Sequence, residues 1–254
     1  MIRVGVVGAC GRMGRTVCAA VGADPDCELV AVVDTRSGDT VEGLTISGSP
    51  DALLAARTDV AVDFTAPTAV MANIRWCLAQ RIHTVVGTTG LSTEDLDQIK
   101  VLAEAGPANA VVAPNFAIGA VLALRFAEQA AAWFPDAEVI ELHHDGKADA
   151  PSGTALNTAR RIAAARDHAP VVPTGDDQYP GARGADVDGV RVHSVRLPGL
   201  LAHEEILFGG PGQLLTIRHD STDRASFMPG VLLAIKAVGE RPGLTHGLDA
   251  LLGR

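Results

Sequence analysis

No segment of the sequence is long and apolar enough to cross a bilayer as a helix, which takes about 20 consecutive apolar residues. The apolar opening, MIRVGVVGACGRMG, is broken by glycines and leads into an amphipathic stretch. It has the form of a strand and turn rather than a secretory signal, so a cytoplasmic protein without a membrane partner is expected. Positive charge is scarce as well: 21 Lys and Arg stand against 30 Asp and Glu, the net charge is −9, and no basic run occurs. Neutralising a nucleic-acid backbone takes clustered cations, so nucleic acid is excluded as a partner and any bound phosphate must be held locally. Only four cysteines occur, Cys10, Cys18, Cys27 and Cys77, all in the first third, with no C-x-x-C pair and no metal-ligand spacing. They read as buried or incidental thiols. Long polar tracts and internal repeats are also missing, and with 47% hydrophobic residues the chain has the composition of a compact folded protein.

What is present alternates. Five short runs rich in Val, Ile or Ala, at residues 2–7, 29–33, 60–64, 84–86 and 110–113, lack clean polar alternation. That pattern suits strands buried on both faces of a parallel sheet. Helical patterns lie between them near 12–21, 50–56, 69–80 and 93–105, the last opened by Ser92 with Asp95 three residues on. The alternation predicts βαβ units with short connections. After Asn115 the texture changes to a long helix over 118–133, a strand over 138–144 and a helix after Ser152. Residues 169–188 are rich in Pro, Gly and Asp and read as a long loop without regular structure. Strands at 190–197, 202–208 and 214–219, the last two joined by a Gly209-Gly210-Pro211-Gly212 turn, read as an antiparallel meander, and 227–238 as a closing helix. The expected division is 1–115, 116–225 and a helix in 226–254 that returns to the first domain. The fold class is α/β: a Rossmann-like doubly wound parallel sheet, then an α+β domain with a mainly antiparallel sheet.

The loop Gly8-Ala9-Cys10-Gly11-Arg12-Met13-Gly14 follows the first strand and opens a helix, with glycines at G-x-x-G-x-x-G spacing. Glycines suit a tight turn that brings backbone close to a pyrophosphate stabilised by the helix N-terminus. Asp34 follows the second strand, 20 residues after Gly14, where a carboxylate can accept hydrogen bonds from an adenine ribose. Together these make 1–115 a dinucleotide-binding domain. Asp34 repels a 2′-phosphate while Arg12 and Arg36 can pair with one, so NADH and NADPH both remain open. Gly87-Thr88-Thr89-Gly90 and Ala113-Pro114-Asn115-Phe116 end the fourth and fifth strands, as either ligand loops or ordinary turns.

In EVIELHHDGKADAPSGTA, residues 138–155, two histidines end a strand, Lys147 follows in a loop, and Ser152-Gly153-Thr154 opens a helix. Neighbouring strand residues point to opposite faces, so His143 and His144 share a pocket only if the strand ends there, as Asp145-Gly146 suggests. Free amides at Gly153 and Thr154, with the hydroxyls of Ser152 and Thr154, form either a carboxylate receptor or a simple N-cap. Lys and His beside such a receptor suit proton transfer to a small anion. A zinc site among His143, His144, His193, His203 and His219 lacks an i, i+4 pair and a nearby cysteine, so no metal is expected.

The run E-x-x-E-x-H-H-x-x-K-x-D-A-P-S-G-T-A, met by Glu138, Glu141, His143, His144, Lys147, Asp149 and 150–155, resembles the signature of the 4-hydroxy-tetrahydrodipicolinate (dihydrodipicolinate) reductases. G-x-x-G-R-M-G, D-F-T at Asp63 to Thr65, G-T-T-G and P-N-F are similar to that family's cofactor motifs, and the likeness covers essentially the whole chain. The resemblance implies that His143 gives or takes a proton and Lys147 donates one. It implies too that His144 contacts substrate, while Gly153 and Thr154 hold a substrate carboxylate. It assigns the 87–90 and 113–116 loops and Phe64 to an NADH or NADPH cofactor, and Arg224, in D-R-A-S-F, to a cofactor contact from the segment linking the domains. The implied reaction reduces a small dicarboxylate, 4-hydroxy-tetrahydrodipicolinate, with loss of water, and the implied assembly is a homotetramer through the second domain's sheet. Two positions depart from some relatives: Ala66, where an arginine occurs near the cofactor, and Cys10, where a lysine can occur.

Overall fold

The computed structural model describes residues 1–167 and 177–253. In chain order, the first part runs β1 (Ile2–Val7), α1 (Arg12–Ala23), β2 (Cys27–Val33), β3 (Thr40–Val41), β4 (Leu44–Thr45), α2 (Asp51–Ala55), β5 (Val60–Asp63), α3 (Pro67–Ala79), β6 (His83–Val86), α4 (Thr93–Ala105) and β7 (Ala110–Val112). It continues through α5 (Ile118–Ala131), β8 (Asp136–His143), α6 (Gly153–Ala165), β9 (Ala185–Val187), β10 (Val190–Arg196), β11 (Ala202–Gly210) and β12 (Gln213–Ser221). A 3-10 turn at Arg224–Phe227, α7 (Met228–Val238) and β13 (Leu244–His246) follow. Two compact units result: Met1–Ile118 with Arg224–Arg254, and Gly119–Asp223. No helix among the described residues is long and apolar enough to cross a membrane.

The first unit holds a six-stranded parallel sheet in the order β13-β7-β6-β5-β1-β2. Val4, Val6, Val60, Val62, Val85, Val86 and Val111 are buried in it, which is why these strands show no polar alternation. The chain adds a sixth strand, β13, to the five expected. Its three residues include one apolar side chain, and its place is set by pairing with β7 rather than by local pattern. A small hairpin, β3 and β4, is a further addition; Glu42 and Gly43, at φ +49° and +79°, form its tight turn. The capping box that opens α4 is complete: Ser92 accepts from the Asp95 amide, and Asp95 accepts from the Ser92 amide. The order of strands reverses between β1 and β5, the switch point where open α/β sheets bind ligands. Behind the loop after β7, Gly230 lets α7 press in, since a Cβ there would lie 2.1 Å from the Phe116 carbonyl oxygen.

The second unit is a five-stranded sheet in the order β12-β11-β8-β10-β9. The expected meander is corrected: β8 lies between β11 and β10, antiparallel to the first and parallel to the second. The parallel pair follows from the crossover through α6, since strands joined by a helix run the same way. The loop expected over 169–188 also needs correction: part of it lies outside the described residues, but Ala185–Val187 is a strand, turned into β10 by Asp188 and Gly189 at positive φ. On β8, buried and half-buried residues alternate. Its inner face packs Ala137 and Val139 with Val192, Ile206 and Phe208 against Ala127 and Ala131 of α5 and Ala155, Ala159 and Ile162 of α6. Fully burying a side chain such as Phe208 is worth about 2–3 kcal/mol. Towards the carboxyl end of β8 the same face turns polar.

Candidate active site

At the carboxyl edge of the first sheet, Gly8 takes φ +83° and turns the chain from β1 into α1. The amides of Gly8 and Ala9 bond to the Val33 carbonyl at 2.8 and 3.2 Å, which ties the loop to β2. Gly14 is required for a different reason. A Cβ there would lie 2.0 Å from the Gly8 carbonyl oxygen, so only glycine lets the helix start this close to the turn. No side chain caps α1 and no acidic residue stands in its first turn, so its N-terminal amides are left uncapped by side chains and suited to an anion.

Asp34 does more than the sequence suggested. Its carboxylate accepts from the Cys10 amide at 2.9 Å, the Arg36 amide at 3.1 Å and the Thr35 hydroxyl at 3.3 Å, with the Arg36 guanidinium 3.7 Å away. Burial opposes its ionisation, but the two amides and Arg36 outweigh burial and hold the carboxyl below the usual range. A carboxylate has about four acceptor sites, which leaves room for a ribose hydroxyl while the loop stays fastened. Arg36 extends into solvent beside it, and Arg12, at the start of α1, is exposed as well.

Asp63, buried at the end of β5, fastens the next loops. It accepts from the Thr65 amide at 3.0 Å, the Thr65 hydroxyl at 2.7 Å, the Thr88 hydroxyl at 2.8 Å and Asn73 at 2.8 Å. The loops after β5 and β6 are thus tied to each other. Phe64 packs on Gly87, where a Cβ would come within 2.1 Å of the ring, and stands 5.9 Å from Phe116. Asn115 accepts from the Ala117 amide at 2.9 Å and shapes the last loop, and the Ala113 amide bonds to Val86. Gly8 to Gly14, Asp34, Phe64, Gly87 to Thr89 and Ala113 to Phe116 therefore all lie at one edge of one sheet. Arg224, expected within the second domain, belongs to the first unit, where its 3-10 turn packs on α1. The uncapped helix, the glycine cradle and the remaining acceptors of Asp34 fit a dinucleotide.

In the second unit, β8 ends at His143, as the Asp145-Gly146 turn requires if His143 and His144 are to lie together. The centre of this region is Glu141, which is 1% exposed. Its carboxylate takes both nitrogens of the Arg196 fork, at 2.8 and 3.0 Å, the Ser152 amide at 3.2 Å, and Nδ1 of His143. The register explains the grouping: β8 and β10 set Arg196 opposite His143 and Ser194 opposite Glu141. Burial opposes ionisation of Glu141, yet Arg196, Ser194 and His143 together hold it below the usual carboxylate range. Burial pushes the other way at His143, keeping the imidazole neutral, reinforced by Lys147 and Arg196 and resisted by Glu141. Nδ1 is thus committed to Glu141, which leaves Nε2 to face a ligand.

Lys147 bonds Asp149 at 2.8 Å, and its amide closes a turn on the His144 carbonyl. Ser152 is buried and its hydroxyl caps α6, accepting from the Ala155 amide at 3.2 Å, which leaves its O–H free to donate. Gly153 is exposed and Thr154 half-buried at the same helix start. Sequence reasoning gave no role to Glu141 or Asp63, although both stand in the quoted motifs, and overlooked Arg196 altogether. Among the described residues, no three His, Cys, Asp or Glu side chains stand together to hold a metal.

Comparison with known proteins matches the chain in two parts. Residues 2–116 match the family model "Dihydrodipicolinate reductase, N-terminus", and residues 119–252 match "Dihydrodipicolinate reductase, C-terminus". The chain is 57% identical over 255 residues to the 4-hydroxy-tetrahydrodipicolinate reductase of Nocardia farcinica, covering 99% of this chain and 98% of the relative. The reductase of the same name from Mycolicibacterium vanbaalenii is 54% identical over 256 residues, with 99% of each chain covered. Among solved structures, the dipicolinate-bound dihydrodipicolinate reductase from Paenisporosarcina sp. TG-14 superposes with a TM-score of 0.89 at 45% identity, over 99% of this chain and 100% of the other. The chain belongs to the dihydrodipicolinate reductase family.

Proposed function

We propose that the chain catalyses the reduction of (2S,4S)-4-hydroxy-2,3,4,5-tetrahydrodipicolinate to tetrahydrodipicolinate, with loss of water, in diaminopimelate and lysine biosynthesis in the cytoplasm. The observation that carries this reading is the Glu141-centred cluster: an oriented histidine, a paired lysine and the start of α6 gathered in the segment from His143 to Thr154. A dicarboxylate, the class of ligand in the solved relative, matches that set of donors. The cofactor is NADH or NADPH, held by the Gly8 to Gly14 loop and the α1 terminus at its pyrophosphate and by Asp34 at its adenine ribose. Thr88, Thr89, Asn115, Phe64 and Arg224 supply the remaining cofactor contacts. When bound, the reduced nicotinamide supplies the hydride.

The protein's own groups manage charge and protons. Gly153 and Thr154 amides take one substrate carboxylate, with the helix start favouring its charge. His144 contacts the substrate, and Lys147 adds a mobile cation and a proton. His143, oriented through Nδ1, gives or takes a proton at Nε2 near neutral pH. Glu141 sets that tautomer, and Arg196 keeps Glu141 ionised. The subunits assemble as a homotetramer through the second unit's sheet, whose edge strand β12 exposes Leu214 at 68%. The reading is tested by supplying freshly made 4-hydroxy-2,3,4,5-tetrahydrodipicolinate and following NADH and NADPH oxidation separately. Substrate-dependent oxidation is expected, and no oxidation with either cofactor overturns the reading.

A further inference from the structure

A cross-strand row runs behind the proposed substrate site. Ser194 on β10 stands opposite Glu141 on β8, Glu141 opposite Glu204 on β11, and Glu204 opposite His219 on β12. Residues directly opposite in antiparallel strands have Cβ atoms about 5 Å apart, so the two carboxyl groups are neighbours on the inner face. Glu141 has every partner it needs, whereas Oε1 of Glu204 is buried without a hydrogen-bond partner. Among the described residues no cation pairs with Glu204. The two terminal nitrogens of Arg196 are spent on Glu141 and on the carbonyls of Val195 and Asp149, while its buried Nε bonds neither Glu204 nor any other group. His219 is packed against Gly119, where a Cβ would lie 2.6 Å from the ring, and burial keeps it towards its neutral form. From α6, fully buried Thr158 faces the row; its hydroxyl eases the burial of Glu204 without making a well-formed hydrogen bond.

We propose that Glu204 is a positioning residue for the reaction: in its uncharged form beside Glu141 it leaves Glu141 the sole carboxylate serving His143 and Arg196, and its ionisation weakens binding of a dicarboxylate. Two carboxylates this close in a poorly solvated place cannot both ionise freely. Burial first, and the charge of Glu141 second, push the Glu204 carboxyl up to about 7. Ionisation above that point adds a negative charge behind the groups that receive the substrate's carboxylates. It also draws on the Glu141, Arg196 and His143 network that aligns Nε2.

This inference rests on the proposed dicarboxylate substrate, so it is tested with dipicolinate as a binding probe and, independently, without any ligand. Between pH 6 and pH 8.5, the dipicolinate dissociation constant of the parent protein is expected to rise roughly 3- to 10-fold more than that of Glu204→Gln. The difference isolates Glu204, because every other titrating group is common to both proteins. Thr158→Val, which removes the hydroxyl that eases burial, moves the parent's midpoint to higher pH and serves if Glu204→Gln fails to fold. Ligand-free thermal melts give the second reading. A carboxyl raised in the fold costs stability as pH climbs from its unfolded value of about 4.5 to its folded value near 7, so the stability advantage of Glu204→Gln grows across that window and is flat above it. Identical binding profiles with a melting difference that does not change with pH overturn the proposal. A pH-dependent melting difference without any dipicolinate binding upholds the buried acid and overturns the dicarboxylate reading instead.

Discussion

Glu141 shows how one buried residue comes to govern a site from behind, through the groups it bonds. A carboxylate this buried is costly unless it is paired, and the bidentate Arg196 fork, the Ser152 amide and His143 together make it tolerable. Its local sequence announces a strand with alternating burial and a histidine pair, but not this role. The partner lies 55 residues away and is brought in by strand register. Ser152 is the converse: the pattern Ser-Gly-Thr reads equally as receptor or cap, and the bond from the Ala155 amide to its hydroxyl establishes the cap. Removing the charge at Glu141 exposes both functions. Glu141→Gln leaves the Arg196 guanidinium partly buried without its carboxylate and His143 without an anionic acceptor. A loss of about 3 kcal/mol in urea unfolding is expected. A fall in kcat on the order of 100-fold is expected alongside it. Unchanged stability and turnover remove Glu141 from this account.

At the scale of elements, local pattern and tertiary context divide the work. The long apolar runs, the capping box of α4 and the glycine turn after β1 are legible because their causes are local: side-chain burial, caps and backbone conformation. Strands β9 and β13, three residues each, and the parallel pairing of β8 with β10 are not, because their causes are neighbours supplied by distant chain. Helix α1 contains a direct contrast between the two kinds of cause. Alanine is the better helix former by up to about 1 kcal/mol, so propensity alone favours replacing either of its interior glycines. Gly22 has nothing within 4 Å of a built Cβ, whereas Gly14 would meet Gly8 at 2.0 Å. Gly22→Ala is therefore expected to raise the urea midpoint modestly, by about 0.5 kcal/mol in stability. Gly14→Ala is expected to lose about 1–3 kcal/mol and to weaken cofactor binding as the turn is forced off the helix. Equal effects at both positions contradict the close approach assigned to Gly14.

The whole molecule divides its labour between two units, one of them discontinuous: the chain leaves the first after Ile118 and rejoins it at Arg224. The return is what α7 and β13 accomplish, by packing on α1 and extending the parallel sheet past β7. One terminal helical pattern makes this return legible in the sequence, while the strand that completes it is not, because three residues carry no periodicity. Local charge within the second unit, not the net charge of −9, sets what that unit attracts. The central claim is that cofactor holding belongs to the first unit and proton management to the segment from His143 to Thr154 in the second. Lys147→Ala, assayed for turnover with 4-hydroxy-2,3,4,5-tetrahydrodipicolinate and for NADH and NADPH binding by titration, tests it most directly. Cofactor dissociation constants unchanged within error are expected, with kcat lowered about 100- to 10,000-fold. Full turnover, or a loss confined to cofactor binding, contradicts the claim.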